Sequence, residues 1–557
     1  MIFGYIITAV VAIAAAMLIA SCILSRKEIA AAVKGSIDRY SIAGLAVALA
    51  IFILFSVLFI TPTEQLYFDE NIYQGIALNI LHSGNALWCQ YGTGMLRQCF
   101  INQIYHDPVE WSIFIAVAFY LFGVGASTAY GLQLLTGALS IICLFLLMSA
   151  LIERKEVVIT SVLVLALMPQ LLIWSRTQAV PDVPFMMLSE LSIFFFVVFI
   201  KKMNAATLAA FASSLLLVVY SRIEAILMLP LFLIFYLFVG RGELVKIAKN
   251  RVRIAIEAAG SKLAPLIVAL VFVLMLIPQV YYIAMEMAAG NYGQSFTNQS
   301  LFSFSNFRSN AAENIIFLFG GFNSVSRYPA AYPGVITVLA LGGVIIALLF
   351  WKHDKNILII SSAWFLTYFL FYGFFYAGGA TFGVDARFML QLMPSIAILA
   401  GLLVGELSGF FKDKRLKAAV YCALVAAIAA YMLISEAGVI MIKQNQMPLQ
   451  GSIAGAVNFL DANYNKVPAN CLVFSFTPDV WYEFNRSSVQ IGYINNPQPS
   501  FSNYSCFVVD YGYWCQVPPY NQGVCKAVMD GYKMQTLAEN NTIAGRVALY
   551  KILNYTQ

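Results

Sequence analysis

Apolar runs of about the length of a bilayer-spanning helix recur along the first 440 residues of this 557-residue chain. A helix needs roughly 17–25 such residues to cross about 30 Å of hydrocarbon, where the backbone must satisfy its own hydrogen bonds. With 61% hydrophobic and 11% charged residues, the chain is not an ordinary soluble protein. The pattern predicts a polytopic α-helical membrane protein of about twelve spans. These cover residues 3–24, 41–60, 127–150, 157–175, 184–200, 205–220, 225–239, 263–285, 332–351, 357–377, 388–408 and 418–439.

Basic residues concentrate in alternate connections between these runs. Cytoplasmic loops carry the excess of Lys and Arg, so both the N-terminus and the tail are predicted to lie outside the cytoplasm. The formal net charge of +6 follows from this topology and does not indicate a nucleic-acid partner. The predicted cytoplasmic residues are Arg26, Lys27, Lys34, Arg39, Arg154, Lys155, Lys201, Lys202, Arg241, Lys246, Lys249, Arg251, Arg253, Lys262, Lys352, Lys355, Lys412, Lys414, Arg415 and Lys417. The opposite connections before the tail hold only Arg97, Arg176, Arg222, Arg308, Arg327 and Arg387.

The first run could also be a cleaved signal peptide. It has no basic segment in front and carries its basic residues behind, which favours a retained helix. Six of the nine cysteines fall in predicted outside segments, where disulfides persist. We expect Cys89 and Cys99 to close one loop. The tail could hold two further bridges, whose pairing the sequence leaves open, among Cys471, Cys506, Cys515 and Cys525.

The predicted outer loop 61–126 begins with an amphipathic segment, YFDENIYQGIALNILHSG (67–84). Its isoleucines recur at helical spacing and leave Tyr73 on another face, which predicts a helix lying along the membrane surface. Asp69 and Glu70 stand at the start of this helix. An acid at that position also suits a simple N-cap or a first-turn residue that matches the helix dipole.

A second polar segment, YHDPVEW (105–111), precedes the apolar stretch 113–123. The stretch is too short to span a bilayer, so we place a second juxtamembrane helix there. A full span at this point would also invert every later loop and move the basic connections outside.

Three shorter outside turns each combine an arginine with an acid. They are WSRTQAVPDVPF (174–185) with Arg176 and Asp182, YSRIEA (220–225) with Arg222 and Glu224, and GVDARFMLQLMP (383–394) with Asp385 and Arg387. Each alone is explained by a plain turn or a structural ion pair. Together they are less ordinary, because ionisable groups near membrane depth are costly and tend to mark function. Since arginine suits forked phosphate binding, the pattern predicts an outer-face site for a phosphate-bearing lipid.

The order of these motifs resembles that of the GT-C glycosyltransferases, the superfamily of protein O-mannosyltransferases and lipid A aminoarabinose transferases. An acidic pair opens an amphipathic helix, here FDENIYQGIALNILHSG, and a Pro-containing motif leads a second juxtamembrane helix, here HDPVEWSIFIAVAFYLFGV. A Gly-rich span follows, here YGLQLLTGALSIICLFLLM, and then a turn with Arg, Asp and Pro, here RTQAVPDVP. RFMLQLMP starts a late span, and the resemblance covers roughly residues 41–410.

The resemblance implies inverting transfer of a sugar from dolichyl or undecaprenyl phosphate to a protein, glycan or lipid acceptor on the extracytoplasmic face. An alcohol is a poor nucleophile, so a carboxylate must take its proton; we assign this role to Asp69, with Glu70 beside it. The leaving phosphate needs fixed positive charge. The candidates for that charge are Arg176, Arg222, Arg387 and His106, and the expected supporting residues are Asp182, Asp385, Glu224, Tyr73 and Asp107.

Two features depart from the family pattern. Where family members often have Lys-Pro-Pro or His-x-Pro-Pro, this chain has His106, Asp107, Pro108 and Val109, so His106 is the nearest substitute for a donor-phosphate contact. The additional N-terminal span lies outside the usual plan. No cofactor is assigned; if a divalent cation such as Mg²⁺ or Mn²⁺ took part, Asp69, Glu70 and Asp182 would be its ligands, as acidic residues are in the related oligosaccharyltransferases.

The tail, residues 441–557, has no spanning run and follows the transmembrane domain 1–440 as a predicted extracytoplasmic domain. A helix at 452–464 and strands at 471–476, 489–494, 506–512 and 546–553 predict a small α/β domain. Its aromatic side chains could stack on sugars or fill a core. They are Trp481, Tyr482, Tyr511, Tyr513 and Trp514.

Two other functions fit parts of the sequence. A transporter would hold ionisable residues near the bilayer midplane, where Glu190 is the clearest candidate, and would often show internal repeats, which we do not find. A non-catalytic protein that binds a lipid-linked sugar fits if Asp69 only caps its helix.

The predicted topology can be tested with single thiols. We expect Thr556→Cys to react with a membrane-impermeant maleimide in intact cells, because the tail lies outside. Lys249→Cys should react only after permeabilisation, because its connection is cytoplasmic. Both variants carry serine at Cys22, Cys143 and Cys422, so that the introduced thiol is the one that reports. The reverse labelling pattern would contradict the topology.

Overall fold

A computed structural model describes most of the chain and shows a helical membrane part followed by a sheet. The described residues are 2–60, 68–89, 92–94, 99, 107–177, 179–240, 263–288, 300–320, 332–380, 386–496, 498–516, 523–542 and 545–554. Within them, eight helices are long and apolar enough to cross a membrane, or nine if one bent pair counts as a single span. The predicted helical membrane protein is confirmed. Its number of spans stays a prediction, because the helices found at 205–220, 225–239 and 332–351 are shorter than eighteen residues.

The helices follow the order of the predicted apolar runs. They are α1 (Ile2–Leu24), α2 (Arg26–Val33), α3 (Arg39–Phe59), α4 (Phe68–Ser83), α5 (Glu110–Phe122), α6 (Ala126–Leu151), α7 (Lys155–Ala166), α8 (Pro169–Thr177), α9 (Asp182–Lys202), α10 (Ala205–Ser221), α11 (Met228–Phe235), α12 (Leu263–Ala288), α13 (Phe304–Leu318), α14 (Val335–Leu349), α15 (Trp351–Phe374), α16 (Met393–Gly409) and α17 (Lys414–Asn463). Two more, α18 (Pro478–Glu483) and α19 (Val524–Gly531), belong to the C-terminal part.

Helix α16 lies in the centre of the bundle between α7 and α14. Small residues permit these contacts, because helices in lipid associate by close packing rather than by a hydrophobic driving force. A Cβ on Gly343 of α14 would overlap the carbonyl oxygen of Leu399 in α16, and one on Gly401 would overlap Ser161 of α7. Glycine therefore sets the spacing of the three central helices.

The predicted span 157–175 is not one straight helix. It consists of α7 and α8, which meet at a bend of 50°. Pro169 opens α8, and a proline at that position cannot donate the next helical hydrogen bond and would clash with the carbonyl one turn earlier. The bend ends α7 and gives α8 its own direction.

Ion pairs join the connections on the predicted cytoplasmic side. Lys155 pairs with Asp38, Arg154 pairs with Glu406, and Lys417 Nζ lies 2.6 Å from Glu156 Oε1. The loops before α3, α7 and α17 thus meet at one end of the bundle.

The C-terminal sheet has six strands in the order β1-β3-β2-β4-β6-β5. They are β1 (Gly92–Thr93), β2 (Cys471–Ser475), β3 (Ser487–Gln490), β4 (Cys506–Tyr511), β5 (Met534–Thr542) and β6 (Gly545–Ile552). Strands β3, β2 and β4 are parallel, and β6 and β1 join them antiparallel. Strand β1 therefore comes from the segment between α4 and α5. Helix α17 continues past residue 440, where the C-terminal domain is predicted to begin.

The strands predicted at 471–476, 506–512 and 546–553 are confirmed, whereas the one predicted at 489–494 is right only for Val489 and Gln490. Strand β3 ends at Gln490, and Ile491–Asn495 form a 3-10 turn. Ile491 and Ile494 are both buried, because their spacing of three suits one face of such a turn. Strand β5 was not predicted, because its sequence, MQTLAENNT, lacks a run of β-branched residues.

Three disulfides link cysteines of the described residues. Cys89 bonds Cys99 as predicted, while the open pairing in the tail is Cys471 with Cys506 and Cys515 with Cys525. Cys471 and Cys506 are direct partners on β2 and β4. Trp481 and Tyr482 are buried, so they are core residues rather than an exposed stacking surface.

Gly343→Val should destabilise the bundle by about 2 kcal/mol or more, because the new side chain must displace the backbone of α16. Gly131→Val is the matched control, since a Cβ on Gly131 of α6 meets no atom within 4 Å. Thermal unfolding of the detergent-solubilised variants should show a lower transition for the first variant and little change for the second. Equal transitions would contradict the packing role of Gly343.

Candidate active site

Arg387 joins two acidic residues from distant parts of the chain. Its Nε lies 3.0 Å from both carboxylate oxygens of Asp182, and its Nη1 donates to Asp69 Oδ2 at 3.1 Å. Asp182 opens α9, Asp69 lies in the first turn of α4, and Arg387 begins the 3-10 helix before α16. Gln391, one turn later, donates to the Asp182 carbonyl at 3.1 Å. The three chain segments are thereby held in one arrangement.

The ion pairing continues from Asp182 to a second arginine. Arg222 donates from Nη1 to Asp182 Oδ1 at 3.0 Å and from Nε to Glu224 Oε1 at 2.6 Å. Tyr372 of α15 donates to the same Glu224 oxygen at 3.2 Å. We call Asp69, Arg387, Asp182, Arg222 and Glu224 the ion-pair chain. The ring of Phe388 packs against both of its guanidinium groups.

Asp69 is the most exposed member of the ion-pair chain. The side chains of Glu224 and Asp182 are 3% and 4% exposed, and those of Arg222 and Arg387 are 10% and 12% exposed. Asp69 is 32% exposed. Charges this deeply buried must be paired. The two buried carboxylates, of Glu224 and Asp182, compensate the two guanidinium groups. Asp69 is the accessible end of the chain.

Glu70 is buried and stabilises the turn between α8 and α9. It accepts a hydrogen bond from the Tyr130 hydroxyl at 2.9 Å and a longer one from the Ala179 backbone N–H at 3.4 Å. The Ala179 carbonyl accepts in turn from Trp111 Nε1 of α5 at 2.9 Å. These contacts fix the turn between α8 and α9, which also carries Asp182.

Tyr73 and Asp107 contact each other beside this arrangement. The Tyr73 hydroxyl donates to Asp107 Oδ2 at 3.2 Å, and the Tyr282 hydroxyl of α12 donates to the Asp107 carbonyl at 3.2 Å. Burial raises the pKa of Tyr73, and the carboxylates of Asp107 and Asp69 raise it further. The phenol therefore stays protonated and remains a donor.

Arg176 differs from the other two candidate arginines. It lies in the last turn of α8, and its Nε is buried without a hydrogen-bond partner among the described residues. It does not pair with Asp182 of its own turn, whose oxygens bind Arg222 and Arg387 instead. Its electrostatic neighbour is Tyr130, which donates to Glu70.

Two predicted site residues, His106 and Asp385, lie outside the described residues. In the part of the chain that the structure describes, no group of three His, Cys, Asp or Glu side chains could hold a metal ion. Asp69 and Asp182, two of the three expected ligands, are bridged by Arg387.

Helix α4 is covered by other parts of the protein, and its position along the membrane surface stays a prediction. Residues 70–79 are buried, because α5 covers one side of the helix and α18 of the C-terminal part covers another. Asp69 is not a simple N-cap, since the helix already includes Phe68 and the Asp69 carboxylate binds Arg387. Tyr130, Tyr372 and Gln391 were not predicted. Tyr130 lies in the Gly-rich motif, whereas no sequence signal distinguishes Tyr372 from the many tyrosines of this chain.

Comparison with known proteins agrees with this architecture. Residues 106–282 match the family model described as dolichyl-phosphate-mannose-protein mannosyltransferase. ArnT from Cupriavidus metallidurans in the apo state superposes with a TM-score of 0.57 at 12% identity, covering 92% of this chain and 97% of ArnT. The protein has the GT-C fold. The predicted resemblance to GT-C glycosyltransferases is thereby confirmed.

Two further solved structures are similar to the chain. ArnT from the same organism bound to undecaprenyl phosphate gives a TM-score of 0.50 at 12% identity, covering 92% and 98% of the two chains. The Archaeoglobus fulgidus oligosaccharyltransferase tethered with an acceptor peptide gives 0.49 at 11% identity, covering 93% and 74%. None of the curated protein sequences matches the chain.

Asp182→Asn should lower the stability of the protein by roughly 3 kcal/mol, because it leaves two buried guanidinium groups short of one carboxylate. Asp69→Asn should change stability by less than about 1 kcal/mol, because Asp69 is the exposed end of the same ion-pair chain. The two isosteric substitutions thus form a matched pair. Thermal unfolding in detergent measures the two losses of stability. Equal losses would contradict the role of Asp182 in compensating the buried arginines.

Proposed function

We propose that the protein is an inverting glycosyltransferase that moves a sugar from a polyprenyl phosphate to an acceptor hydroxyl on the extracytoplasmic face. The single observation that carries this proposal is the ion-pair chain. It fixes Asp69 through Arg387 while leaving that one carboxylate accessible. A rigidly placed, accessible carboxylate is what a general base requires.

Asp69 is the proposed base. Its Oδ2 is held by Arg387, and no hydrogen bond to Oδ1 is found among the described residues, so this second oxygen can face an acceptor. As the acceptor oxygen attacks the anomeric carbon, its proton passes to Asp69. The bond from the anomeric carbon to the phosphate oxygen breaks, and its electron pair leaves with the phosphate. A nearby carboxylate also stabilises an oxocarbenium-like transition state.

Arg176 is the proposed main phosphate contact. Arg222 and Arg387 are already bound by three carboxylates, whereas Arg176 keeps a buried N–H without a partner among the described residues. A guanidinium fork matches a phosphate in charge and geometry. The complex of ArnT with undecaprenyl phosphate supports a polyprenyl phosphate as the donor carrier.

The orientation of the site is part of this proposal. The disulfides occur in the segments around α4 and in the C-terminal sheet, on the side of the ion-pair chain. The basic connections meet at the other end of the bundle. These two features support a site and a C-terminal domain outside the cytoplasm, in a bundle of about twelve spans.

Transfer by purified protein tests the base. With labelled polyprenyl-phosphate sugars, Asp69→Asn should reduce kcat by about 10²–10⁴, because general base catalysis is lost. Binding of the donor should persist, since the ion-pair chain without Asp69 remains. Asp69→Glu should recover part of the rate. Transfer that survives Asp69→Asn unchanged would remove Asp69 from the role of base.

The phosphate contact needs its own variants. Arg176→Ala should raise the KM for the donor about tenfold or more and leave the KM for the acceptor unchanged, because it removes a charge-assisted contact. Arg308→Ala, an exposed arginine on α13 outside the ion-pair chain, is the control. If the wild-type protein binds lipid-linked sugars but transfers none, a non-catalytic binding protein is favoured.

A further inference from the structure

The C-terminal domain makes its contacts with the segment that follows Asp69. Helix α18 packs on α4, and β1 of the outer loop pairs with β3 of the C-terminal sheet. The sequence predicts two separate domains, but these contacts connect them through the element that carries the proposed base.

Asp479 of α18 lies at the centre of the contact with α4. A Cβ on Gly75 would overlap the Asp479 carboxylate, so a glycine is required for this approach. Trp88 Nε1, from the chain just after α4, donates to Asp479 Oδ2 at 3.3 Å. Next to Asp479, the ring of Tyr482 meets His82 of α4 edge to face at 5.9 Å. Asp479 and Tyr482 are both buried.

A second contact fastens the chain beyond Trp88. Gly92 and Thr93 pair with Val489 and Ser488, and a Cβ on Gly92 would overlap the Ser488 carbonyl. The Cys89–Cys99 disulfide closes the loop around this short strand. A two-residue strand is weak alone, so the sheet edge and the disulfide together hold the end of the α4 segment.

We propose that the C-terminal domain positions Asp69, with Asp479 as the positioning residue that seats α4. Gly75 lies six residues after Asp69 on one continuous helix, about 9 Å along its axis. A shift of α4 along α5 therefore moves the Asp69 carboxylate away from Arg387 Nη1 by the same amount. This inference rests on the proposed role of Asp69 as base.

The surroundings of Asp479, against Gly75 and Trp88, suit a protonated carboxyl group. Burial raises the pKa of Asp479, the Trp88 hydrogen bond lowers it, and Glu483 on the same helix raises it, with a result of about 8. Neither β1 nor β3 carries an ionisable side chain, and His82 of α4 lies against Tyr482. The pKa of Asp479 is higher when α18 is packed on α4 than when the aspartate is exposed. Packing of α18 on α4, here called seating, therefore takes up a proton. Seating therefore weakens as pH rises above the ordinary aspartate range, and above about 8 the buried group is charged.

Four variants of the full-length protein in lipid nanodiscs test the proposal. Asp479→Ala and Gly75→Leu remove the seat, Asp479→Asn keeps its shape without a charge, and Asp530→Ala changes an exposed aspartate of the same domain as a control. Hydrogen exchange of the α4 amides reports seating, and kcat with donor KM reports transfer.

We expect Asp479→Ala and Gly75→Leu to speed α4 exchange about tenfold or more and to lower kcat about tenfold to a hundredfold at unchanged donor KM. Asp479→Asn should keep the wild-type rate at neutral pH and abolish a decline of kcat above pH of about 8. Asp530→Ala should match the wild type in both measurements.

Unchanged α4 exchange in both disruptive variants would overturn the positioning role, and so would an alkaline decline that persists in Asp479→Asn. If the wild-type protein transfers no sugar, that result contradicts the proposed function but not the contact between Asp479 and α4. In that case the exchange measurement still decides whether Asp479 seats α4.

Discussion

Arg387 binds two carboxylates that belong to chain segments 205 and 318 residues away from it in sequence. The site depends on these two contacts: Arg387 Nε is shared between both oxygens of Asp182, and Nη1 donates to Asp69. Charges are expensive inside a membrane protein unless they are paired. Arg387 and Arg222 are therefore stable in their positions only because α9, the loop after α10 and α4 bring their carboxylates to the same place. The cost of burying the charges enforces one relative position for three parts of the bundle.

The accessible end of this arrangement is where chemistry can occur. Asp182 and Glu224 neutralise the guanidinium groups and are closed off from solvent, whereas Asp69 is fixed by one oxygen and reachable. Glu70 follows Asp69 in sequence yet has a different surrounding: it supports the turn at Ala179 through buried hydrogen bonds. Two adjacent acids on one helix thus face opposite environments, because successive helical positions differ by about 100°.

The segment between α4 and α5 and the C-terminal sheet together surround α4. Helix α5 lies on one side and α18 on the other, and β1 is part of a sheet that otherwise comes from residues after 470. Glycines at 75 and 92 permit backbone and side chains to approach without space for a Cβ. The same physical rule sets the membrane bundle, where Gly343 and Gly401 bring α14 and α7 onto α16. Close approach at glycine connects the two halves of the protein as well as the helices within one half.

Much of this protein was determined by the sequence alone. Apolar runs and the placement of basic residues define the helical membrane class, since lipid leaves the backbone few alternatives. Motif order identifies the GT-C resemblance. The acid at the start of α4 and the arginines of the turns predicted to lie outside are visible in the sequence as unusual charges. The Cys89–Cys99 bridge follows from proximity along the chain.

Only the tertiary structure decided which acidic and basic side chains pair with one another. Asp182 lies six residues after Arg176 but binds Arg222 and Arg387, because helix directions rather than sequence distance decide which side chains meet. The bend at Pro169, the burial of α4 beneath α18 and the addition of β1 to a distant sheet depend on contacts between remote segments. Local periodicity describes one element and its apolar face; it carries no information about which other element will cover that face.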